Sequence, residues 1–328
     1  MNGIGLIVGA LLPAIVLLIY IFKKDRAEKE PVWLIALLFF AGVVIAAPAG
    51  WLETLVDPII KFVFQNSLQL EEGAVLSEII PFYIYIFVEN FFGVALIEEG
   101  CKFIALFLLT YKNKNFNSLF DGMVYSVTVS LGFAAIENVM YAISFGWETV
   151  FSRMILSVPG HMFFGVMMGY FYSFWNVFRH VDALEKDAKQ KGMIAPSRKP
   201  IKKEKQLVLA IVVPTIVHGF FDFCLAADSI LFMIVFYIFV IVLYVFCFSR
   251  IRKFAKSDVM YGYLLLTVFL KRNQNVLHII GSEAFQRNLS PKGIADTRAM
   301  LNAYYALTFD ANPNEETSLE TLLNDASE

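Results

Sequence analysis

Seven stretches of the chain are each long and apolar enough to cross a bilayer: residues 3–22, 32–50, 80–110, 119–145, 150–178, 207–227 and 230–248. A hydrocarbon core requires about 20 mostly apolar helical residues. Inside it every backbone polar group must be satisfied within the segment, and runs of this length satisfy theirs as helices. The first run lacks the basic start of a signal peptide and is longer than its apolar centre, so it reads as a span. The expected fold is therefore all-α, a polytopic membrane protein of about seven transmembrane helices. Composition agrees: 58% of residues are hydrophobic and 17% charged, with 33 Phe, against about 45–50% and 25% in soluble domains. A disordered chain, a disulfide scaffold and a basic nucleic-acid binder are all excluded, the last by a net charge of −2. Cys101, Cys224 and Cys247 lie in apolar runs without metal-site spacing and read as small buried hydrophobes.

Basic residues assign the sides. Nineteen Lys and Arg follow the first, third, fifth and seventh runs, nine of them between Arg179 and Lys205, whereas the opposite side holds Lys61 and Arg153. This predicts an extracytoplasmic N-terminus and a cytoplasmic C-terminus, in the plasma (inner) membrane. The transmembrane domain is expected to occupy residues 1–256 and a short helical cytoplasmic tail residues 257–328. In the tail, Tyr261 to Leu270 reads as an interfacial helix, and Ser290-Pro291 starts another that runs to about Phe309.

The informative residues are the ionisable ones inside apolar runs, where a charge costs about 2.5–3.5 kcal/mol on insertion scales. The third run carries Glu98-Glu99, and Lys102 can reach both at i+4 and i+3. The fourth carries Asp121 at its start and Glu137-Asn138 further on; the fifth carries His161 after Pro159-Gly160; the sixth carries His218 and Asp222 on one face. At 1.5 Å per residue, Glu98 lies about 4 Å to the cytoplasmic side of the bilayer centre, His161 and His218 about 3–5 Å to the outer side, and Glu137 about 7 Å. Four helices thus bring acids and imidazoles to one layer. Glu53, Asp57 and Glu78 fall near boundaries, where interface solvation accounts for them. Glu89 has no assigned role, and His180 and His278 read as bystanders.

Two imidazoles and several carboxylates in a dry layer suit a divalent cation, with Zn²⁺ the best match. Such a metal lowers the pKa of bound water toward about 7, and a neighbouring carboxylate takes the proton. A metal-free version has Glu98 or Glu99 activate water while His and Asn138 side chains stabilise the oxyanion. Either version hydrolyses a carbonyl or phosphoryl group within the membrane. Pro159, Gly160 and Pro214 are expected to loosen the helices beside the layer and admit water.

These residues carry a resemblance. Glu98-Glu99-Gly100-Cys101-Lys102 resembles the E-E-x-x-K motif of the PrsW family of intramembrane proteases. Phe120-Asp121-Gly122, followed by Gly132-Phe133-Ala134 and Glu137-Asn138, is similar to its second motif. His161 with Gly165 and Gly169 resembles the third, and His218-Gly219 with Asp222 the fourth. The four occur in order between Glu98 and Asp222. The resemblance implies an intramembrane endopeptidase, distantly related to CAAX prenyl proteases, whose relatives include the site-1 protease of an anti-sigma factor. The implied partners are a membrane-anchored protein substrate and the bilayer. Glu98, Glu99, Lys102 and Asn138 are the catalytic candidates, and His161, His218 and a carboxylate from Glu137 or Asp222 the metal candidates. The competing class is an ion- or proton-coupled transporter built on the same midplane acids and histidines; transporters commonly show two related halves, and no internal repeat is found.

Overall fold

The structure, a computed structural model, describes residues 3–25, 29–66, 76–190 and 202–256. Among them the chain is helical without strands, and seven helical spans are long and apolar enough to cross a membrane. The elements are α1 (Gly3–Lys24), α2 (Val32–Val63), α3 (Leu76–Val88), a π-helical segment (Glu89–Ala95), α4 (Leu96–Thr110), α5 (Asp121–Phe145), α6 (Trp147–Ile155), α7 (Ser157–Gln190), α8 (Glu204–Ala226) and α9 (Ile230–Lys256). The chain divides into two units, Met1–Ser173 with Glu204–Asp258, and Phe174–Lys203 with Val259–Glu328. In the second unit Asp182 pairs with Lys186 and Lys203, and His180 Nδ1 meets the Asn176 carbonyl at 2.8 Å. The tail helices expected beyond Tyr261, and His278, lie outside the described residues.

Three departures from the expected spans matter for the site. First, α2 does not stop near Gly50 but runs on to Val63, 32 residues in all. Asp57 and Lys61 form an exposed i,i+4 pair at 2.9 Å that supports its last turns, so Glu53 lies within a span and not at its boundary. Second, the long third span is interrupted by the π-helical segment, where the Leu96 N–H bonds back five residues to the Phe91 carbonyl. Third, the fifth run is two helices. Gly146, at φ +79°, ends α5 in the left-handed region that glycine tolerates, and α6 precedes α7. Pro159 sits in the first turn of α7, where a missing N–H costs nothing. It starts a helix there, contrary to the expectation that it loosens one. Pro214 is carried inside a continuous α8.

The inner helices are α5 and α7, buried over 67% and 61% of their most apolar windows against 22% for α1 and α9. They reach the centre because small residues let backbones touch. A Cβ on Gly132 of α5 would stand 2.0 Å from the Phe39 carbonyl oxygen of α2, and one on Gly42 of α2 would stand 2.0 Å from the Val129 carbonyl oxygen. The outer helices turn Leu12, Phe40, Ile104, Ile238 and Val245 outward, as lipid contact requires. The three cysteines are buried and free.

At one end of the bundle, Asp121 gathers the loop before α5: the Ser118 and Asn117 N–H groups donate to its Oδ2 at 2.6 and 2.8 Å, and the Ser118 hydroxyl to its Oδ1. Beside it, in the α1–α2 connection, the Tyr125 hydroxyl donates to Glu30 Oε2 at 2.7 Å. Burial, then the neighbouring Asp121 charge, push the Glu30 carboxyl from its ordinary 4.5 up to about 9. The folded protein therefore holds a proton that the unfolded chain releases above pH 4.5, so stability falls as pH rises from there towards 9. Glu30→Gln keeps the shape without the titration. The expected result is a melting temperature that declines less between pH 6 and 9 than that of the parent, measured by thermal denaturation in detergent.

Candidate active site

The site is assembled by α4, α5, α7 and α8, with α6 reaching in from one end. Lys102 is its hub and has no solvent exposure. Its ammonium donates to Glu98 Oε2 at 2.9 Å and Glu99 Oε1 at 2.8 Å, lies 3.1 Å from His161 Nδ1, and sits 4.1 Å above the Phe133 ring. The i, i+3 and i, i+4 spacing on α4 delivers the two carboxylates; α7 delivers the imidazole. An ammonium can only donate, so His161 Nδ1 accepts and the ring proton belongs on Nε2. That nitrogen lies 2.8 Å from Glu137 Oε2, the acceptor this tautomer needs. On the other side, His218 Nδ1 lies 3.0 Å from Glu99 Oε1 and Nε2 lies 3.1 Å from Asp222 Oδ2. Two carboxylate neighbours call for an N–H on both ring nitrogens. Phe164 stacks on the His218 ring, and the two imidazole centroids are 5.4 Å apart.

Arg153 of α6 closes the chain of contacts. Its guanidinium meets Glu137 Oε2 at 3.0 Å, donates from Nε to Asn138 Oδ1 at 3.2 Å and covers the Tyr141 ring at 4.0 Å. An arginine at a membrane boundary ordinarily turns to water; this one folds inward. A continuous polar string thus runs Arg153–Glu137–His161–Lys102–Glu98/Glu99–His218–Asp222. Breaking a buried ion pair by removing one partner costs about 3–5 kcal/mol, so the string braces the helices as well as equipping them. It borders a cavity of about 770 Å³, walled among others by Glu53, Glu98, Glu137, Arg153, His161 and His218.

The sequence candidates are distributed unevenly around this cavity. Glu98, Glu137, His161, His218 and Asp222 line it; Glu99 and Lys102 lie behind the wall. Asn138 is turned away: its amide donates to the Ala10 carbonyl at 2.7 Å and accepts from Arg153. Of the ligand set expected from sequence, His161 meets Glu137 through its Nε2 and His218 meets Asp222 through its Nε2, while their Nδ1 atoms face Lys102 and Glu99 respectively. Among the described residues, the group whose donor atoms all lie within 4.8 Å of one another is Glu98, Glu99 and His161. These are oxygen and nitrogen donors of the kind that hold zinc, and Glu99 Oε2 is buried without a hydrogen-bond partner. The donor set fits a divalent cation, with the Lys102 ammonium standing in its place.

Two wall residues escaped the sequence reading. Glu53 shares its α2 face with Ala46 and Gly50, at helical spacing, and all three line the cavity. That periodicity, continued past Gly50, was the available signal. In sequence Arg153 is one of two charges on its side; its place in the short amphipathic stretch Trp147–Ile155 marks it out.

Residues 30–248 match the family described as PrsW family intramembrane metalloprotease. A protein named Protease PrsW from Oceanobacillus iheyensis is 30% identical over 241 residues, covering 74% of this chain and 92% of its own. Its counterpart in Bacillus subtilis is 31% identical over 225 residues, covering 69% and 84%, and that in Clostridioides difficile 27% over 250 residues, covering 75% and 89%. No solved structure gives a significant match.

Proposed function

The chain belongs to the PrsW family of intramembrane proteases, and from that premise we propose that it is a zinc-dependent endopeptidase that cuts a membrane-anchored protein, such as an anti-sigma factor, at the cavity beside Glu98. One observation carries this reading: a carboxylate reaches both a buried cation and an open cavity at membrane depth. Glu98 accepts from Lys102 through Oε2 and lines the cavity, and its other oxygen has no protein partner among the described residues. Glu98 takes a proton from water, the hydroxide adds to the substrate carbonyl carbon, and the proton passes to the amine as the C–N bond breaks. The guanidinium of Arg153 on the wall is the donor for the developing oxyanion, the ring N–H groups of His161 and His218 being held by Glu137, Glu99 and Asp222. Lys102 and Glu99 hold Glu98, His161 and His218 in register from behind. Glu99, His161 and one oxygen of Glu98 would hold the zinc, which when bound polarises the carbonyl and acidifies water, leaving the second Glu98 oxygen to take the proton.

The charge bias supports an extracytoplasmic N-terminus, a cytoplasmic C-terminus and a cytoplasmic tail following a protease domain of residues 1–256. The test is cleavage of a membrane-anchored peptide by the purified protein in liposomes, with zinc measured before and after chelation. Cleavage is expected to fall with zinc removal and return with added Zn²⁺. His161→Ala is expected to lose bound zinc, while His218→Ala, one hydrogen bond further out, weakens binding by about 10- to 100-fold. Full activity in protein stripped of metal would sink the zinc proposal and leave a glutamate-driven protease.

A further inference from the structure

The cavity wall holds four acids, and three of them are already engaged. Glu98 is bonded to Lys102, Glu137 to His161 and Arg153, and Asp222 to His218. Glu53 differs: it lines the same cavity, yet no described residue gives it a hydrogen bond or an ion pair. Its charged neighbours are Glu98, Glu137, Lys102 and His218, and the cations on that side, Lys102, Arg153 and His218, are spoken for by other carboxylates. It projects from the part of α2 beyond Pro48 and Gly50, about 8 Å past the helix midpoint, towards the same end as Glu137.

An acid at membrane depth is costly unless something partners it. Among the described residues every other wall acid has a partner, and this one is open to the space where substrate lies. Arginine or lysine from outside the wall answers that vacancy: it brings the missing N–H donors and compensates the negative surplus of the wall. From this we propose that Glu53 is a specificity residue that binds a basic side chain of the substrate next to the scissile bond. The proposal rests on the protease reading above and adds the class of substrate residue that the site selects.

The test uses the full-length protein in liposomes and a pair of membrane-anchored peptides that differ at one position near the cut, Lys against Gln, scanned across the flanking positions. At one of them the parent is expected to favour Lys by more than about tenfold in kcat/KM, the scale of a close charge pair in a desolvated site. Glu53→Gln, of nearly equal volume, is expected to bring that ratio close to one. Glu53→Arg is expected to invert it, favouring Glu over Lys at the same position. A parent that cleaves both peptides alike at every position overturns the proposal, as does a Glu53→Gln variant that keeps the preference. Equal loss on both peptides with the ratio intact also overturns it, since Glu53 then serves turnover and not selection. A parent that cleaves no peptide at all fails the protease reading instead, which keeps the two failures apart.

Discussion

Glu98→Gln lowers peptide turnover by about 10²- to 10⁴-fold, the span that a positioned base contributes, while the protein melts close to the parent. The amide has nearly the volume of the carboxylate, its carbonyl still accepts from Lys102, and the Lys102–Glu99 pair at 2.8 Å survives. Glu99→Gln behaves differently. Glu99 is wholly buried and its Oε1 serves both Lys102 and His218. Removing that charge weakens two contacts that water cannot replace, so a stability loss of about 3–5 kcal/mol is expected alongside the loss of cleavage. Cleavage assays paired with thermal melts of the two variants separate the roles. Near-parent turnover in Glu98→Gln would remove the cavity-facing carboxylate from the chemistry.

The second large effect is one of packing. Gly132→Ala inserts a methyl 2.0 Å from the Phe39 carbonyl oxygen, a backbone atom that no side-chain rotation can move aside. The crossing of α2 and α5 must open, at a cost at or above the upper end of the about 1–3 kcal/mol typical of overpacking. Because α2 carries Glu53 and α5 carries Glu137, the same opening widens the cavity, so activity is expected to fall with stability. Gly100→Ala is the matched control within the Glu98–Lys102 stretch. A Cβ there meets nothing within 4 Å, and replacing an open helical glycine gains up to about 1 kcal/mol. Thermal melts of both variants should move in opposite directions.

The contrast shows what the sequence could and could not convey. Spans are written in apolar runs of bilayer length, and all seven were legible for that reason. The site ions were legible as well, because Glu98, Glu99, Lys102, Glu137, His161, His218 and Asp222 sit where charge is expensive. What a linear pattern does not encode is which polar atom faces which. Asn138 sits beside Glu137 in sequence yet turns to the Ala10 carbonyl, since consecutive helical residues point to different faces. The glycines of the second motif act as contact points in space, which their letters alone do not say. Arg153 looked like an ordinary boundary charge, and only the break at Gly146 turns it inward. Glu53 was hidden by a helix that ran on past its apolar stretch, its later turns aided by the Asp57–Lys61 pair.

The π-helical segment ahead of Glu98 has a further consequence. An α-helix advances about 100° per residue, and a turn that closes on the fifth residue carries one more than its neighbours. The half-span before it, which buries Tyr85 and Ile86, and the half-span after it, which buries Glu98, Glu99 and Lys102, are therefore geared to each other with a fixed phase offset of roughly one residue's rotation. The azimuth of the glutamate pair is thus set independently of the face by which the earlier half meets its surroundings. One missing residue between Glu89 and Ala95 would leave a helix of ordinary regularity and almost the same length, with its acids swung out of line with the cavity.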